Sequence, residues 1–243
     1  MRLYEIAQRR YLALADAMII KKFDESELSD LVRDETYTTA AVSKTDFLFL
    51  HNFVATNKPK KVIEFGTGKS TWVIAHAMSS YYEPTGEYKL LSLEDQEFWF
   101  REQEKRFPYS RIPDAREFVE IRYSDVEYYE YRWTRGTSYR ETPREHFDLC
   151  FVDGPNPLDT FNADLVKIVE SCESTVDIII DGRFSTQIAA FSLLGSKKMT
   201  RWHNGFCVFK GVTREDMTGS FKRNNYSINR KHHRVYWPWK RIY

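Results

Sequence analysis

Five short β-rich runs, interleaved with stretches of helical spacing, constrain this chain more than any other feature. The runs lie at 61–65 (KVIEF), 88–93 (YKLLSL), 118–122 (FVEIR), 147–152 (FDLCFV) and 176–180 (VDIII). Helical spacing fills 70–79, 96–106, 158–172 and 185–194 between and after them. Strands alternating with helices pair in parallel, with helices on both faces of the sheet. The runs lack clean apolar–polar alternation, as expected of strands buried on both sides. A closing hairpin at 199–203 and 206–209 turns on Asn204-Gly205, a strong turn pair. The expected fold is α/β: a doubly wound, mostly parallel sheet over 43–211 with an antiparallel C-terminal hairpin strand. Residues 1–42 read as an N-terminal helical segment, and 212–243 as a basic, aromatic C-terminal extension.

The N-terminal helix is expected over 3–22, where Leu3, Ile6, Ala7, Tyr11, Leu14 and Met18 recur at three- and four-residue steps. Its apolar stretch is broken by Asp16 and ends in Lys21-Lys22, which fits an amphipathic helix rather than a secretory signal. No apolar run is long enough to span a bilayer, so the expectation is a cytoplasmic protein with no membrane contact. Ser43 is placed to cap a second helix through Val54, with Asp46 at the reciprocal position of a capping box.

Composition removes other classes. Hydrophobic residues make up 42% and charged residues 29%, too apolar for a disordered chain. Lys plus Arg (36) nearly balance Asp plus Glu (35), which leaves no global electrostatic argument for nucleic-acid binding. Three cysteines spaced by 22 and 35 residues (Cys150, Cys172, Cys207) match neither a zinc pattern nor a disulfide framework. Cys150 and Cys207 sit in apolar runs and read as small buried hydrophobes.

In a doubly wound sheet the ligand lies beyond the carboxyl ends of the strands, near the switch in strand order. An acid stands at or just past every such end: Glu64, Glu94 with Asp95, Asp125, Asp153 and Asp181. The first strand runs into Gly66-Thr67-Gly68-Lys69-Ser70-Thr71. A phosphate-cradling P-loop would need glycine where Ile63 stands, inside the strand. A dinucleotide fingerprint would need glycine at Thr71, and Glu94 follows Gly66 by 28 residues instead of about 20.

The segment Glu64-Phe65-Gly66-Thr67-Gly68 resembles the first motif of the class I S-adenosylmethionine-dependent methyltransferases, an acid, one residue, then G-x-G. A sulfonium carrying an ammonium group, with no phosphate, suits a loop beside a carboxylate. The pieces that follow in order are Leu93-Glu94-Asp95 with Trp99, Ser124-Asp125, Val152-Asp153-Gly154-Pro155 and Ile180-Asp181-Gly182-Arg183. Together they resemble a subset that includes sugar-modifying O-methyltransferases. The resemblance covers about 43–211 and implies an enzyme that binds S-adenosylmethionine. Glu64, Gly66, Thr67, Gly68, Ser70, Thr71, Glu94, Asp95, Asp125 and Asp153 would hold the cofactor, and Glu94 would receive the ribose hydroxyls. Ser70 replaces a third motif glycine. Asp153 and Asp181 match two ligand positions of metal-dependent relatives, but Gly182 stands at the third, so a divalent metal is not favoured.

Methyl transfer needs alignment of the acceptor and removal of its proton. Asp153 is the first candidate for that base, with a turn role as its rival. Asp181 and Arg183 are the next pair, with a local salt bridge as the rival. His76 reads as a helix-face residue and His146 as a solvated loop residue. Segment 128–144 interleaves Tyr128, Tyr129, Tyr131, Trp133 and Tyr139 with Arg132, Arg135, Arg140 and Arg144. It reads as a long insertion over the ligand end, suited to a sugar, a nucleobase or an acidic acceptor. The tail 217–243 carries seven Lys and Arg with no acid, interleaved with aromatics that include Tyr226, Tyr236, Trp237, Trp239 and Tyr243. Packing on the domain or on a second subunit is favoured for it over nucleic-acid binding.

The expected function is methyl transfer to an oxygen or nitrogen of a small molecule or sugar. The N-terminal helices would cover the pocket or form a homo-oligomer contact. The rivals are a nucleic-acid methyltransferase using 217–243, a non-catalytic cofactor-binding module and, more distantly, a nicotinamide-dependent oxidoreductase.

Overall fold

A computed structural model of the chain describes residues 17–33, 43–131, 134–155, 161–195, 198–203, 206–217, 227–229 and 234–236. Residues 17–24 are helical, which meets the end of the expected first helix; residues 1–16 lie outside the described set. A short helix α1 (Glu27–Leu31) and a longer one, α2 (Lys44–Asn57), follow. The capping box at α2 is present. Asp46 N donates to Ser43 Oγ at 3.3 Å and Ser43 N to Asp46 Oδ2 at 3.3 Å.

The alternation then unfolds as read. In order come β1 (Lys61–Phe65), α3 (Lys69–Ser79), β2 (Lys89–Glu94), α4 (Glu97–Arg106), a helical turn α5 (Ala115–Phe118) and β3 (Val119–Tyr123). After these come β4 (Val126–Tyr131), β5 (Thr134–Tyr139), β6 (Leu149–Val152), β7 (Phe161–Asn162), α6 (Asp164–Glu170), β8 (Val176–Asp181) and α7 (Phe184–Leu194). The sheet closes with β9 (Met199–His203) and β10 (Phe206–Val212).

Seven strands form one sheet in the order β3-β2-β1-β6-β8-β10-β9. Neighbours from β3 to β8 are parallel, and β10 runs antiparallel to both β8 and β9. Strand order reverses between β1 and β6, where Phe65 stands opposite Val152. The central strands are buried on both faces: Val62, Ile63, Leu90, Leu91, Cys150, Phe151, Ile178 and Ile179 are fully buried. Each such aliphatic side chain contributes about 1.5–3 kcal/mol through burial. One core layer lies under α6 and α7, the other under α2 and α3 and the N-terminal segment, where Phe23, Leu28 and Leu31 join Trp72 and Met78. Among the described residues no helix is long and apolar enough to cross a membrane.

Two sequence expectations are corrected. Segment 128–144 is not a structureless insertion: β4 and β5 form an antiparallel hairpin, and β7 adds to β5, making a second, three-stranded sheet. The helix expected over 158–172 begins only at Asp164. There Asn162 Oδ1 accepts from the Asp164 and Leu165 amides at 2.9 and 3.3 Å and satisfies the free donors of the first turn. Most of the C-terminal tail lies outside the described residues; within it Ser227–Asn229 pairs antiparallel with Arg234–Tyr236. Asn204 and Gly205, at the expected turn, also lie outside.

Candidate active site

The switch point between β1 and β6 brings two glycines into contact. Gly66 adopts φ +93°, which a side chain would strain, and a Cβ there would stand 2.7 Å from the Gly154 amide nitrogen. A Cβ on Gly154 would stand 2.6 Å from Gly66 N and 2.5 Å from the Tyr139 hydroxyl. Both positions need glycine for close backbone approach. Gly66 N donates to Leu93 O and Asp153 N to Phe65 O, both at 2.8 Å, so three strand ends are tied at one place.

Glu64 sits beneath this loop with no exposed surface. Its carboxylate accepts from Ser70 Oγ and Thr71 Oγ1 at 2.6 Å and from Ser92 Oγ at 2.7 Å. Burial pushes its pKa up to about 7, against the pull of those three hydroxyls. Ser70 and Thr71 therefore point down to Glu64, and all three fix the loop from below. Thr71 Oγ1 also accepts from the Gly68 amide at 3.1 Å and lies 3.1 Å from Thr67 Oγ1.

Glu94 closes β2 on the other side of the loop. Thr67 N donates to one carboxylate oxygen at 3.0 Å and Gln96 N to the other at 2.9 Å. The Asp95 amide also bonds to this carboxylate. Burial raises its pKa to about 7, with a smaller push from Asp95. Asp95 Oδ1 accepts from the Tyr139 hydroxyl at 3.3 Å. Asp125 is exposed past β3 and accepts from Tyr123 Oη at 2.8 Å. Ser124 is buried; its amide donates to Glu94 O at 2.9 Å.

The β6 end carries the most elaborate support. Three successive carbonyls are each held by a buried side chain. Arg183 Nη2 donates to Asp153 O, Asn162 Nδ2 to Gly154 O at 2.8 Å, and Arg183 Nη1 to Pro155 O. The Gly154–Pro155 bond is cis. Asp153 keeps 38% of its side-chain surface open, with Oδ1 4.0 Å from Arg183 Nε. Loss of solvent first, then Asp181, hold its pKa well above the usual carboxylate range, against Arg183. Asp181 is raised to about 6 by burial and by Asp46 at the start of α2.

No family model matches the chain, and no curated protein matches its sequence. Solved structures do. A candidate caffeoyl-CoA O-methyltransferase from Staphylococcus aureus superposes with a TM-score of 0.54 at 10% identity, over 82% of this chain and 99% of the other. A methyltransferase from Geobacter sulfurreducens gives 0.50 at 12%, over 84% and 97%. Cofactor-bound Rv0187 from MTB gives 0.50 at 15%, over 76% and 87%.

The fold is the Rossmann-like fold of class I methyltransferases.

Within this methyltransferase fold the structure gathers Gly66, Thr67, Gly68, Glu94, Asp95 and Asp153 around the switch point, with Glu64, Ser70 and Thr71 directly below. Asp125 stands further out, past the end of β3. Arg183 is engaged by two carbonyls, which makes it a support for Asp153. Neither histidine joins the crevice. His76 lies eight residues along α3 from Gly68, about 12 Å, and pairs with His51 at 3.2 Å. His146 precedes β6 at the other end of the strand. Among the described residues no group of three His, Cys, Asp or Glu is placed to hold a metal ion.

Three supports escaped the sequence reading. Gln103 on α4 is fully buried; it donates to Gly68 O at 2.8 Å and accepts from Trp72 Nε1 at 3.1 Å. Its only signal was a neutral amide in a helix otherwise rich in charge. Asn162 gave no signal of its own. Tyr139 was read as part of an acceptor loop, yet its ring stacks on Phe65 with centroids 5.6 Å apart beneath the glycine contact.

Proposed function

We propose that this protein is an S-adenosylmethionine-dependent methyltransferase acting on an oxygen or nitrogen of a small molecule or sugar. One observation carries the reading: the glycine loop at the switch point is flanked by carboxylates, and its Thr67 amide is already bound to Glu94. A pyrophosphate there would meet Glu94, Asp95 and Asp153. A sulfonium with an ammonium group finds opposite charge instead. The donor set therefore fits S-adenosylmethionine, which when bound supplies an activated methyl group.

The chain's own residues then have distinct tasks. The Glu94 carboxylate accepts a pair of hydroxyls. The Gly66–Gly68 backbone, locked by Glu64 and Gln103, sets the floor. Asp153 orients the acceptor and takes its proton; a raised pKa makes its carboxylate a stronger base once ionised. Arg183 and Asn162 hold the Asp153 backbone. The catalytic arm predicts that turnover rises with pH as Asp153 ionises.

Calorimetric titration with S-adenosylhomocysteine, with NAD and ATP as controls, tests the reading. Micromolar binding that weakens at least about tenfold in Glu94→Ala is expected, from loss of a charged hydrogen-bond acceptor. Binding of NAD in place of S-adenosylhomocysteine would overturn it.

A further inference from the structure

At the amino-terminal edge of the sheet, opposite the crevice, we infer that Cys172, His146 and Asp148 form a thiol-modification site at which Cys172 exchanges with small disulfides of the glutathione type. Cys172 Sγ lies 3.6 Å from His146 Nδ1, and His146 Nε2 lies 3.3 Å from Asp148 Oδ1. Asp148 is fixed in turn: its Oδ2 accepts from the Lys60 and Lys61 amides at 2.8 and 2.9 Å. The acid sets the tautomer. With the Nε2 proton donated to Asp148, Nδ1 is left as the acceptor facing the thiol. This is the order nucleophile, base, orienting acid that activates a weak nucleophile. Ser174 Oγ stands 3.5 Å from Nε2, on the same side as Asp148.

Access separates this thiol from the other two. Cys150 and Cys207 are fully buried, whereas Cys172 is half-buried. The groups facing Cys172 are His146, Asp148, Glu173, Glu215 and the Val212 carbonyl, which Sγ reaches at 4.0 Å. Burial and then the three acids raise its pKa, against the Ser174 amide, so the thiol rests protonated and depends on His146. In the exchange, Sγ attacks one sulfur of the disulfide while its proton passes to His146 Nδ1. A new S–S bond forms, the old one breaks, and the departing thiolate takes the proton back from the imidazolium. The product is a mixed disulfide on Cys172 plus one free small thiol.

The test treats the intact protein with oxidised glutathione at neutral pH and maps adducts by peptide mass spectrometry. Adducts are expected on Cys172 ahead of Cys150 and Cys207. In His146→Ala, whose fold is checked by its thermal transition, the rate at Cys172 falls about tenfold or more if the imidazole is the base. The smaller side chain widens access, so a merely steric role would speed the reaction. An unchanged or faster rate in that variant overturns the proposal. If the variant does not fold, the wild-type competition decides: equal labelling of the three thiols, or labelling only in denaturant, overturns it as well. Cofactor binding is unaffected by either result, because the site stands at the other end of the strands.

Discussion

Two buried carboxylates, Glu64 and Asp164, solve the same problem in different parts of the molecule. Each has no exposed surface. Glu64 collects three hydroxyls and joins β1, β2 and α3 under the glycine loop. Asp164, opening α6, accepts from Ser138 Oγ at 2.5 Å, from Thr142 Oγ1 at 2.5 Å and from the Tyr139 amide at 3.0 Å. It also has Lys167 at 3.8 Å, whose ammonium donates to Tyr139 O at 3.0 Å. Glu64 is held by neutral donors alone among these contacts, Asp164 by a cation as well. Burial raises both, Glu64 from 4.5 to about 7 and Asp164 from 3.8 to about 6. The first network shapes the loop of the main sheet; the second fastens the small sheet to α6. Tyr139 runs from the second network to the crevice, with its amide on Asp164 and its hydroxyl on Asp95.

The comparison breaks hardest at Asp164. Asp164→Ala leaves Lys167 without its counter-charge, the Tyr139 amide without its acceptor, and Lys167, Ser138 and Thr142 to share Tyr139 O; it should cost about 3–5 kcal/mol of stability, read from urea unfolding. Glu64→Gln tests the absence of a cation and should cost less, about 1–2 kcal/mol. It also changes a slope. A carboxyl with a raised folded pKa binds a proton more tightly in the folded than in the unfolded state. Stability is therefore fullest below its ordinary value of 4.5 and declines as pH rises towards about 7. Glu64→Gln should flatten that decline; an unchanged slope would place the effect elsewhere. For Asp164 the same sign applies between 3.8 and about 6. The smallest effect belongs to Tyr139. Tyr139→Phe removes one hydroxyl, keeps the amide and the stacking, and should cost about 0.5–1.5 kcal/mol. It should weaken S-adenosylhomocysteine binding more than Asp164→Asn does.

The sheet and the loop were readable because both obey local rules. Central strands bury both faces and so appear as apolar runs, Ser43 and Asp46 obey cap spacing, and Glu64 is two residues from Gly66. The β4–β5 hairpin was missed although 126–131 (VEYYEY) and 134–139 are separated by two residues. Its arginines and tyrosines invited a reading by chemistry instead of by pairing. Asn162, Gln103 and Asp164 were illegible for another reason. Each is a single polar residue whose depth is fixed by elements far away in the chain, and no local period announces a hydrogen bond across 35 residues such as Gln103 to Gly68. Arg183 was visible as a charge, but only the turned backbone of 153–155 gives it its task.

The three carbonyls of Asp153, Gly154 and Pro155 leave that turn no loose end. With each oxygen engaged and the Asp153 amide bound across to Phe65, the segment cannot serve as a hinge, nor does it wait for a guest to be ordered. Whatever lands above it meets a finished surface. On the proposed function, discrimination between acceptors at this edge is a matter of shape at first encounter, and any gating motion arises in another part of the chain.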